Sequence, residues 1–321
     1  TLQDKLNRAE KTAWCDYAFF MGGNSENAHQ LSYLERLPGC AGVKIFMGSS
    51  TGTLLAKDDE VIADVLANGV RRVSVHAEDE DRLISRQNIA IESESPQAHP
   101  DWRDVESAVR ATTRLVKLAR EANRRVHVLH ISSRDEMDIL AKHKDLISVE
   151  VTLNHLTLNA PDCYEQLGAF AQMNPPVRDL IHQTGLWAAI QNGIVDVIGS
   201  DHAPHTIEEK ERPYPSSPSG MPGVQTSLPL LLNHMHEGRL SLQRIVDLTS
   251  AGPQRLFGIA AKGRIAIGYD ADLVIVDLKK RRTISDDWIA SKCGWTPFDG
   301  KSVTGWPTAT ILRGNIVVRE D

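Results

Sequence analysis

Short apolar runs alternate with longer amphipathic stretches through the first 200 residues of the chain. A short run closed by glycine, serine or a polar cluster is typical of a buried strand, whereas apolar residues at helical spacing are typical of an amphipathic helix. The predicted strands are residues 14–21, 41–47, 72–76, 126–131, 147–153 and a sixth that ends at Ser200. The predicted helices are residues 2–13, 28–37, 58–68, 102–122, 134–142 and 181–191. Strands that alternate with helices predict an α/β fold, a parallel sheet with helices packed outside it.

The pattern changes after a predicted helix over residues 242–248, which is followed by a break at Gly252-Pro253. Residues 271–276 and 310–318 alternate apolar and polar positions, as strands with one exposed face do. Arg313-Gly314-Asn315 provides a tight turn within the second run. We therefore expect two domains, a barrel-type domain over residues 1–260 and a small β domain over residues 261–321.

Composition and charge exclude several classes of protein. The 321 residues carry a formal charge of −6 without a basic stripe, which argues against nucleic-acid binding. The sequence contains no apolar run near the ~20 residues that span a bilayer, and its first residues do not resemble a signal peptide. Its four cysteines lie far apart and form no C-x-x-C pair, so the expected compartment is a reducing cytoplasm.

Four polar residues stand inside or at the ends of the predicted strands. Lys44 lies inside a strand that is otherwise apolar, His76 and His130 each end one, and Asp201 follows the run that ends at Ser200. Any single histidine in such a place could be a packed core residue. The carboxyl ends of parallel barrel strands open on one face, however, so we expect all four side chains to converge there. Imidazoles and a carboxylate suit zinc or a similar metal.

Lysine is the unusual member of this set, because a protonated amine repels a cation. Lys44 could therefore be the buried partner of an ion pair. Burial also lowers the pKa of a lysine amine, and the neutral amine is nucleophilic. Such an amine can capture carbon dioxide as a carbamate, whose two oxygens are able to bridge two metal ions. Both interpretations remain open on the residues alone.

Longer motifs surround these positions. They are Gly42-Val43-Lys44-Ile45-Phe46-Met47, His76-Ala77-Glu78, His130-Ile131-Ser132-Ser133, Asn174-Pro175-Pro176-Val177-Arg178, Ser200-Asp201-His202-Ala203-Pro204-His205 and Gly268-Tyr269-Asp270-Ala271-Asp272-Leu273-Val274. Together they resemble the cyclic amidohydrolases of the amidohydrolase superfamily, most closely the class I dihydroorotases, and the resemblance covers nearly the whole chain. It implies a TIM-type (β/α)8 barrel with a small β-sandwich domain that the C-terminal segment completes.

The resemblance also implies metal-dependent hydrolysis of a cyclic amide. Lys44 carrying a carbamate derived from carbon dioxide, together with His76, His130 and Asp201, would hold one or two ions of zinc or another divalent metal. Asp201 would also be the general acid and base. The implied reaction is the reversible cyclisation of N-carbamoyl-L-aspartate to L-dihydroorotate in pyrimidine biosynthesis. Hydantoinases, dihydropyrimidinases and allantoinases are similar in the same metal set and remain alternatives.

Four further residues are expected to bind the substrate on the same resemblance. His205 stands where dihydroorotases have a histidine that helps to bind the substrate carboxylate, which hydantoinase-like enzymes generally lack. Arg178 belongs to a motif that is shared more widely, and it could equally be a surface residue. Gly223 lies in the loop whose backbone contacts the ring, and Thr51 lies in the loop that covers the substrate.

Three more polar residues lie close to the predicted strand ends. His127 and His155 alternate with apolar neighbours and are expected to be packed histidines rather than ligands. Glu150 matches a position that some family members use for an additional metal. Leu129 stands where those members have a cysteine, so we do not expect that extra site.

Two features of the family are missing from the sequence. No H-x-H-x-R motif is present, and six strands are counted where the barrel has eight. We therefore expect a longer polypeptide in which the first two barrel strands precede Thr1. The alternative is a non-catalytic dihydroorotase-like partner of aspartate transcarbamoylase, although such a chain has no need of the four strand-end residues. The resemblance favours a homodimer that binds a small-molecule substrate, with a complex with aspartate transcarbamoylase as a further option.

Overall fold

The computed structural model describes residues 1–50 and 54–320. Its main sheet has six parallel strands in sequential order: β1 (Phe19–Gly22), β2 (Cys40–Phe46), β3 (Val73–His76), β4 (Val126–Val128), β5 (Ile147–Thr152) and β6 (Val197–Gly199). Each strand pairs with the next along the chain, and at least one helix lies between every consecutive pair. The predicted α/β architecture is therefore confirmed.

The α-helices are α1 (Leu2–Thr12), α2 (Leu31–Leu34), α3 (Asp59–Ala67), α4 (Glu80–Ser93), α5 (His99–Trp102), α6 (Val105–Glu121), α7 (Arg134–Leu140), α8 (Leu153–Thr157), α9 (Asp162–Leu167), α10 (Leu180–Gln191), α11 (Ile207–Lys210), α12 (Ser227–His236), α13 (Leu242–Val246) and α14 (Gly252–Phe257). Among the helices of the described ranges, none is long and apolar enough to cross a membrane.

Helix α6 illustrates how the sequence encodes the outer layer. Asp104 caps its first turn by accepting a hydrogen bond from the Ser107 N–H at 3.0 Å, which satisfies a donor that has no partner inside the helix. One face of α6 is buried, with Leu115 and Val116 in the main core. A leucine or valine taken out of water in this way contributes about 1.5–3 kcal/mol. The helix packs against α3 and α7, and this fixes the loops that precede and follow β4.

The core of the sheet consists mainly of β-branched residues on β2 to β5. Val43, Ile45, Val73, Val126 and Val149 are all fully buried in the main core. Branched side chains fit the pleated surface of a sheet well, which explains why these apolar runs form strands and not short helices. Polar residues within these strands, such as Lys44 and His76, therefore lie between closely packed apolar residues.

The structure differs from the predicted elements in several places. Residues 14–18 lie outside β1, where Trp14 and Tyr17 are exposed. Helix α4 was not predicted. The prediction that Gly252-Pro253 breaks the chain is wrong, because α14 begins at Gly252 and continues a π-helical turn over Asp247–Ala251. Pro253 lies in the first turn of α14, where the missing N–H needs no partner.

The C-terminal residues form a separate antiparallel sheet of β7 (Leu273–Thr283), β8 (Ser302–Leu312) and β9 (Asn315–Arg319). The predicted turn is present between β8 and β9, with Arg313 at φ +47° and Gly314 at φ +82°. Two consecutive positive φ values are the signature of a tight hairpin turn. Helix α12 packs on β8. The domain boundary between residues 260 and 261 stays a prediction.

Candidate active site

The four predicted strand-end residues lie towards the same edge of the six-stranded sheet. Lys44 lies in β2 opposite Ser74, and His76 is the last residue of β3, opposite Phe46. His130 and Asp201 each follow the end of a strand by two residues, after β4 and β6. Because all six strands are parallel, their carboxyl ends bring these side chains to one edge.

His130 and Asp201 share an uncommon backbone conformation. Their φ angles are +39° and +42°, in the left-handed region that residues other than glycine rarely adopt. In both places the chain leaves its strand and turns sharply. Such conformations cost free energy and cluster at active sites, where the surrounding structure holds them. The left-handed backbone at His130 and Asp201 therefore turns both residues away from the hydrogen-bonded strands.

His76 and His130 form a close pair of buried imidazoles. The distance from His76 Nδ1 to His130 Nε2 is 3.1 Å. Burial, followed by the charges of His76 and Lys44, lowers the pKa of His130 well below its ordinary value, so its imidazole is neutral. Two nitrogen ligands on one tetrahedral zinc ion are about 3.3 Å apart, given Zn–N bonds of about 2.0–2.1 Å. The spacing and the neutral ring fit a shared divalent metal.

A buried ion pair lies directly behind His76. Its Nε2 is 3.0 Å from Glu78 Oε2, in ion-pair contact but outside hydrogen-bond geometry. Arg103 binds the same carboxylate through two nitrogens, with Nε 3.2 Å from Oε1. Burial opposes the charge on Glu78, but Arg103 and His76 hold the pKa of the carboxyl well below its ordinary value. A carboxylate at the far side of a ligating imidazole fixes the orientation of its ring.

Lys44 and Asp201 influence each other electrostatically across this edge. Burial lowers the pKa of Lys44, and the charges of Asp201 and Glu150 oppose that shift. Burial raises the pKa of Asp201, and the charges of Lys44 and His76 oppose it. The Lys44 amine lies 4.4 Å from the centre of the Phe46 ring, an apolar neighbour. The desolvated amine that carbamate formation requires is therefore present.

The carboxylate of Glu150 is surrounded by protein groups next to His130. Its carboxylate accepts a hydrogen bond from the His130 backbone N–H at 3.3 Å and lies 3.3 Å from His127 Nε2. A Cβ at Gly199 would come within 2.4 Å of its carboxyl carbon, so the missing side chain at Gly199 makes the room that Glu150 occupies. This contact is not predictable from the sequence, because Glu150 and Gly199 lie on different strands.

His127 and His155 are packed histidines, as expected. His127 is fully buried and lies 2.8 Å from Ser148 Oγ through Nδ1. His155 is buried and reaches Thr152 Oγ1 at 2.8 Å and the Pro175 carbonyl at 3.0 Å. Each of these rings has partners within the protein for both of its nitrogens.

The stretch from Asp201 to His205 is covered by the segment 217–223. Ala203 N–H donates to the Met221 carbonyl at 3.1 Å, and Gly223 N–H donates to His202 Nδ1 at 3.1 Å. A Cβ at Gly223 would lie 2.6 Å from the Ser200 carbonyl oxygen, so only glycine allows this approach. His205 Nε2 lies 3.2 Å from the Ser219 carbonyl. The structure thus brings His205 and Gly223 close to the Asp201 strand end.

Arg178 is buried and makes protein contacts with all three of its guanidinium nitrogens. Nε donates to Ser132 Oγ at 3.0 Å, Nη1 to the Arg103 carbonyl at 3.0 Å and Nη2 to the Asp104 carbonyl at 3.4 Å. In this arrangement it braces the loops behind His130 and Arg103, and its predicted contact with substrate stays a prediction. Thr51, the other predicted contact, lies outside the described residues.

His99 contacts the segment that precedes Arg178, and the sequence pattern predicts no role for it. Its Nε2 lies 3.2 Å from the Met173 carbonyl and 3.1 Å from Asn174 Oδ1, and its Nδ1 lies 3.4 Å from the Tyr214 hydroxyl. It therefore links the segment before Arg178 to the loop that carries Tyr214. Helix α5, which begins at His99, has no periodic signal because it is only four residues long.

The buried state of His99 predicts an acid-sensitive fold. Burial, reinforced by the charge of Arg103, lowers the pKa of His99 from 6.5 to about 3. The unfolded chain binds this proton below pH 6.5 and the folded chain does not, so stability falls as the pH drops from about 6.5 towards 3. The full effect is on the order of 3–5 kcal/mol. We expect urea unfolding at pH 7 and pH 4.5 to differ less in H99Q than in the wild type.

His29 provides the matched control for that measurement, because its side chain is exposed. H29Q should keep the pH dependence of the wild type. Equal pH dependence in H99Q and the wild type would show that His99 does not carry the effect.

One group of acidic residues lies away from these strand ends. Asp16, Asp270 and Asp272 each place a carboxylate oxygen within 4.8 Å of the other two, and among the described residues no other three His, Cys, Asp or Glu side chains lie so close together. The ammonium of Lys262 already lies among them, 2.6 Å from Asp16 and 2.8 Å from Asp270, and Arg313 also binds Asp16. These two cations offset most of the negative charge, and the cluster ties the N-terminal segment to the C-terminal sheet.

Comparison with known proteins gives a consistent result. The sequence profile described as the Amidohydrolase family matches residues 58–317. A dihydroorotase from Halobacterium salinarum is 38% identical over 277 residues, which are 85% of this chain and 64% of that protein. A dihydroorotase from Pyrococcus abyssi is 36% identical over 97% of this chain and 69% of its own length.

Solved structures resemble the fold over its whole length. An L-hydantoinase (dihydropyrimidinase) from Arthrobacter aurescens has a TM-score of 0.91 and 29% identity, and it covers 99% of this chain and 74% of its own. A dihydropyrimidinase from Brevibacillus agri has a TM-score of 0.89 and 30% identity over 99% of this chain and 74% of its own. The chain thus spans about two thirds to three quarters of the length of the proteins that it resembles.

Proposed function

The chain belongs to the amidohydrolase family, and from this membership we propose that the protein is a dihydroorotase, which interconverts N-carbamoyl-L-aspartate and L-dihydroorotate. The observation that carries the proposal is the position of Lys44, His76, His130 and Asp201 in or just after parallel strands, towards the carboxyl ends, with the two imidazoles 3.1 Å apart. The relatives named as dihydroorotases, at 32–38% identity, support this substrate over those of the solved hydantoinases and dihydropyrimidinases, at 25–30%.

We propose that His76, His130, Asp201 and a carboxylated Lys44 hold one or two divalent ions, with zinc as the best match to imidazole ligands. When bound, the metal would polarise the amide carbonyl and make water a better nucleophile near neutral pH. The 3.1 Å approach of the two imidazoles and the neutral state of His130 support this assignment. Glu78, held by Arg103, would orient His76 from behind.

Asp201 would move the proton of the reaction. In the hydrolytic direction it takes a proton from the attacking water and gives it to the departing ring nitrogen as the amide C–N bond breaks. In the synthetic direction it takes a proton from the carbamoyl nitrogen that attacks the carbon of the neutral β-carboxylic acid, and it returns that proton to the hydroxyl group that leaves as water. Burial raises the pKa of Asp201, which favours a group that exchanges protons during turnover.

The substrate carboxylate is the group that separates dihydroorotate from hydantoin and dihydrouracil. We propose that His205 helps to bind it, because its imidazole lies in the segment that follows Asp201 and is partly exposed. Gly223 would present its backbone to the ring. The homodimer, the association with aspartate transcarbamoylase and the cytoplasmic location are further inferences from the family and remain predictions.

The proposal is tested by comparing substrates with the full-length, zinc-supplemented protein. Dihydroorotate, hydantoin, dihydrouracil and allantoin would be assayed under identical conditions for kcat/KM. We expect dihydroorotate to be preferred by at least about 100-fold, because a site built to bind a polar group discriminates strongly against analogues that lack it. Faster turnover of an uncharged ring would favour the hydantoinase alternative, which the similarity to solved hydantoinases supports.

Replacing His205 by alanine is expected to lower kcat/KM for dihydroorotate by about 10- to 150-fold, mainly through KM. This corresponds to the loss of one hydrogen bond to a charged group, about 1.5–3 kcal/mol. Residual turnover of dihydrouracil should change little, since that ring has no carboxylate. Steady-state kinetics on both substrates measure the effect, with H29A as the control at an exposed histidine. An equal loss on both substrates would assign His205 to the chemical step instead.

A further inference from the structure

Lys210 is a fully buried lysine close to the 201–205 stretch. It is the last residue of α11, and its side chain is completely excluded from solvent. No acidic group lies in ion-pair contact with it in the described residues. Its amine instead donates to three backbone carbonyls, those of Pro218 at 2.8 Å, Gly220 at 3.3 Å and Gln172 at 3.4 Å. The ring of Trp295 lies 5.8 Å away.

Such an arrangement is costly unless the amine is well hydrogen-bonded. A buried cation without a counter-ion is strongly disfavoured, and here burial alone lowers the pKa of Lys210 to about 7. An ammonium has three donors, and three carbonyls surround it. A hydrocarbon side chain would fill the same space without the desolvation cost, but it could not hold those carbonyls. The lysine amine therefore links two segments of the chain, the one that contains Gln172 and the one that contains Pro218 and Gly220.

The carbonyls bound by Lys210 flank the one that contacts His205. Along the chain, the carbonyls of Pro218, Ser219 and Gly220 bind Lys210, His205 and Lys210 in turn. Both side chains follow Asp201 in the chain, and together they contact three consecutive carbonyls, Lys210 those of Pro218 and Gly220 and His205 that of Ser219. The imidazole of His205 is thus set by a backbone segment whose position Lys210 controls.

Gly220 packs this segment tightly against the strand end. Its φ is +141°, and a Cβ there would lie 2.3 Å from the Ala203 carbonyl oxygen. Its N–H donates at 2.8 Å to the Gln172 carbonyl, which also accepts from Lys210. Ala203 is bound in turn to Met221. Gly220 packs closely on Ala203, and the Gln172 carbonyl accepts from both Gly220 and Lys210. A shift of residues 218–220 would therefore move His205 and also the residues next to Asp201.

We propose that Lys210 is a positioning residue, which holds the carbonyls of residues 218–220 against the 201–205 stretch and so fixes the His205 imidazole for binding of the substrate carboxylate. This inference rests on the proposed dihydroorotase function. Lys210 does not touch the substrate; it acts through the backbone of Pro218 and Gly220. Loss of its amine should therefore reproduce the kinetic defect of a His205 variant.

The test is a double-mutant cycle in the full-length, zinc-supplemented protein. K210M keeps the length of the side chain and removes its donors. We expect K210M to raise KM for dihydroorotate about tenfold or more, with a smaller change in kcat and little change in residual dihydrouracil turnover. In the H205A background the same substitution should have almost no further effect, because coupled residues are not additive. K210R, which keeps donors and charge, should recover part of the loss.

Hydrogen exchange supplies a readout that does not depend on activity. Amides in residues 201–205 and 217–223 should exchange faster in K210M than in the wild type, while those of the β4 and β5 core should not change. If K210M fails to fold, K210Q, which keeps an amide donor, is measured in its place. K117M, at an exposed lysine on α6, controls for loss of a positive charge.

The outcomes separate the two hypotheses. A wild-type protein that leaves dihydroorotate untouched contradicts the proposed function, and hydrogen exchange then decides on Lys210 alone. A K210M protein with unchanged KM, or with a defect that multiplies independently with that of H205A, overturns the positioning role. Unchanged exchange in residues 217–223 overturns it as well.

Discussion

Replacing Asp201 by asparagine is expected to lower kcat for dihydroorotate hydrolysis by about 10²–10⁴-fold, the contribution typical of a positioned general acid and base. An amide cannot accept the proton of the attacking water or return it to the ring nitrogen. Asparagine is the informative replacement because it tolerates the left-handed backbone, and Asp201 has φ +42°. Steady-state kinetics in both directions measure the loss, and circular dichroism and thermal unfolding test whether the fold is retained.

The control for that variant is D138N, since Asp138 is an exposed carboxylate on α7. It should retain the kinetics of the wild type. D201N protein that keeps more than about a tenth of the wild-type kcat would exclude Asp201 as the proton carrier. A loss confined to KM would instead assign the carboxylate to substrate binding.

The strands were predictable because each is a compact run of apolar residues with a distinct end. Val73 and Val126 are fully buried, and short runs of this kind have few alternatives to a sheet. Helix α4 gave no comparable signal. Its buried residues are only Glu80, Leu83 and Ala90, and one of these is charged. Its position depends on contacts with α5 and α6, which are made only after folding.

The strand-end residues of the site were predictable for a topological reason. A parallel sheet brings the carboxyl ends of its strands together however far apart they lie in the sequence, so Lys44 and Asp201 could be paired without knowledge of the packing. The residues that hold these side chains in place could not be predicted in the same way. Arg103 approaches Glu78 from a loop 25 positions away, and Lys210 binds the Gln172 carbonyl from 38 positions away. The spacing of apolar and polar residues along the sequence does not indicate such long-range contacts.

Replacing Arg103 by methionine is expected to destabilise the protein by about 3–5 kcal/mol, because it leaves Glu78 as a buried charge without its main partner. Both side chains of the pair are almost completely buried, with exposures of 2% and 0%. Arg103 also donates to the Ser49 carbonyl at 2.8 Å, and that carbonyl would lose its partner as well. Urea unfolding of the metal-free protein at pH 7 measures the change in the free energy of unfolding.

The double variant E78Q/R103M separates folding from positioning. Removing both charges eliminates the unpaired carboxylate, so most of the lost stability should return. The ring of His76 would still lack the carboxylate at its Nε2, so zinc affinity should remain about 10- to 100-fold weaker than in the wild type. R110M, which removes an exposed arginine paired with Glu106 on α6, should cost no more than about 0.5 kcal/mol. An R103M protein within 1 kcal/mol of the wild type would mean that water reaches Glu78, and the orientation of His76 would then have to come from other contacts.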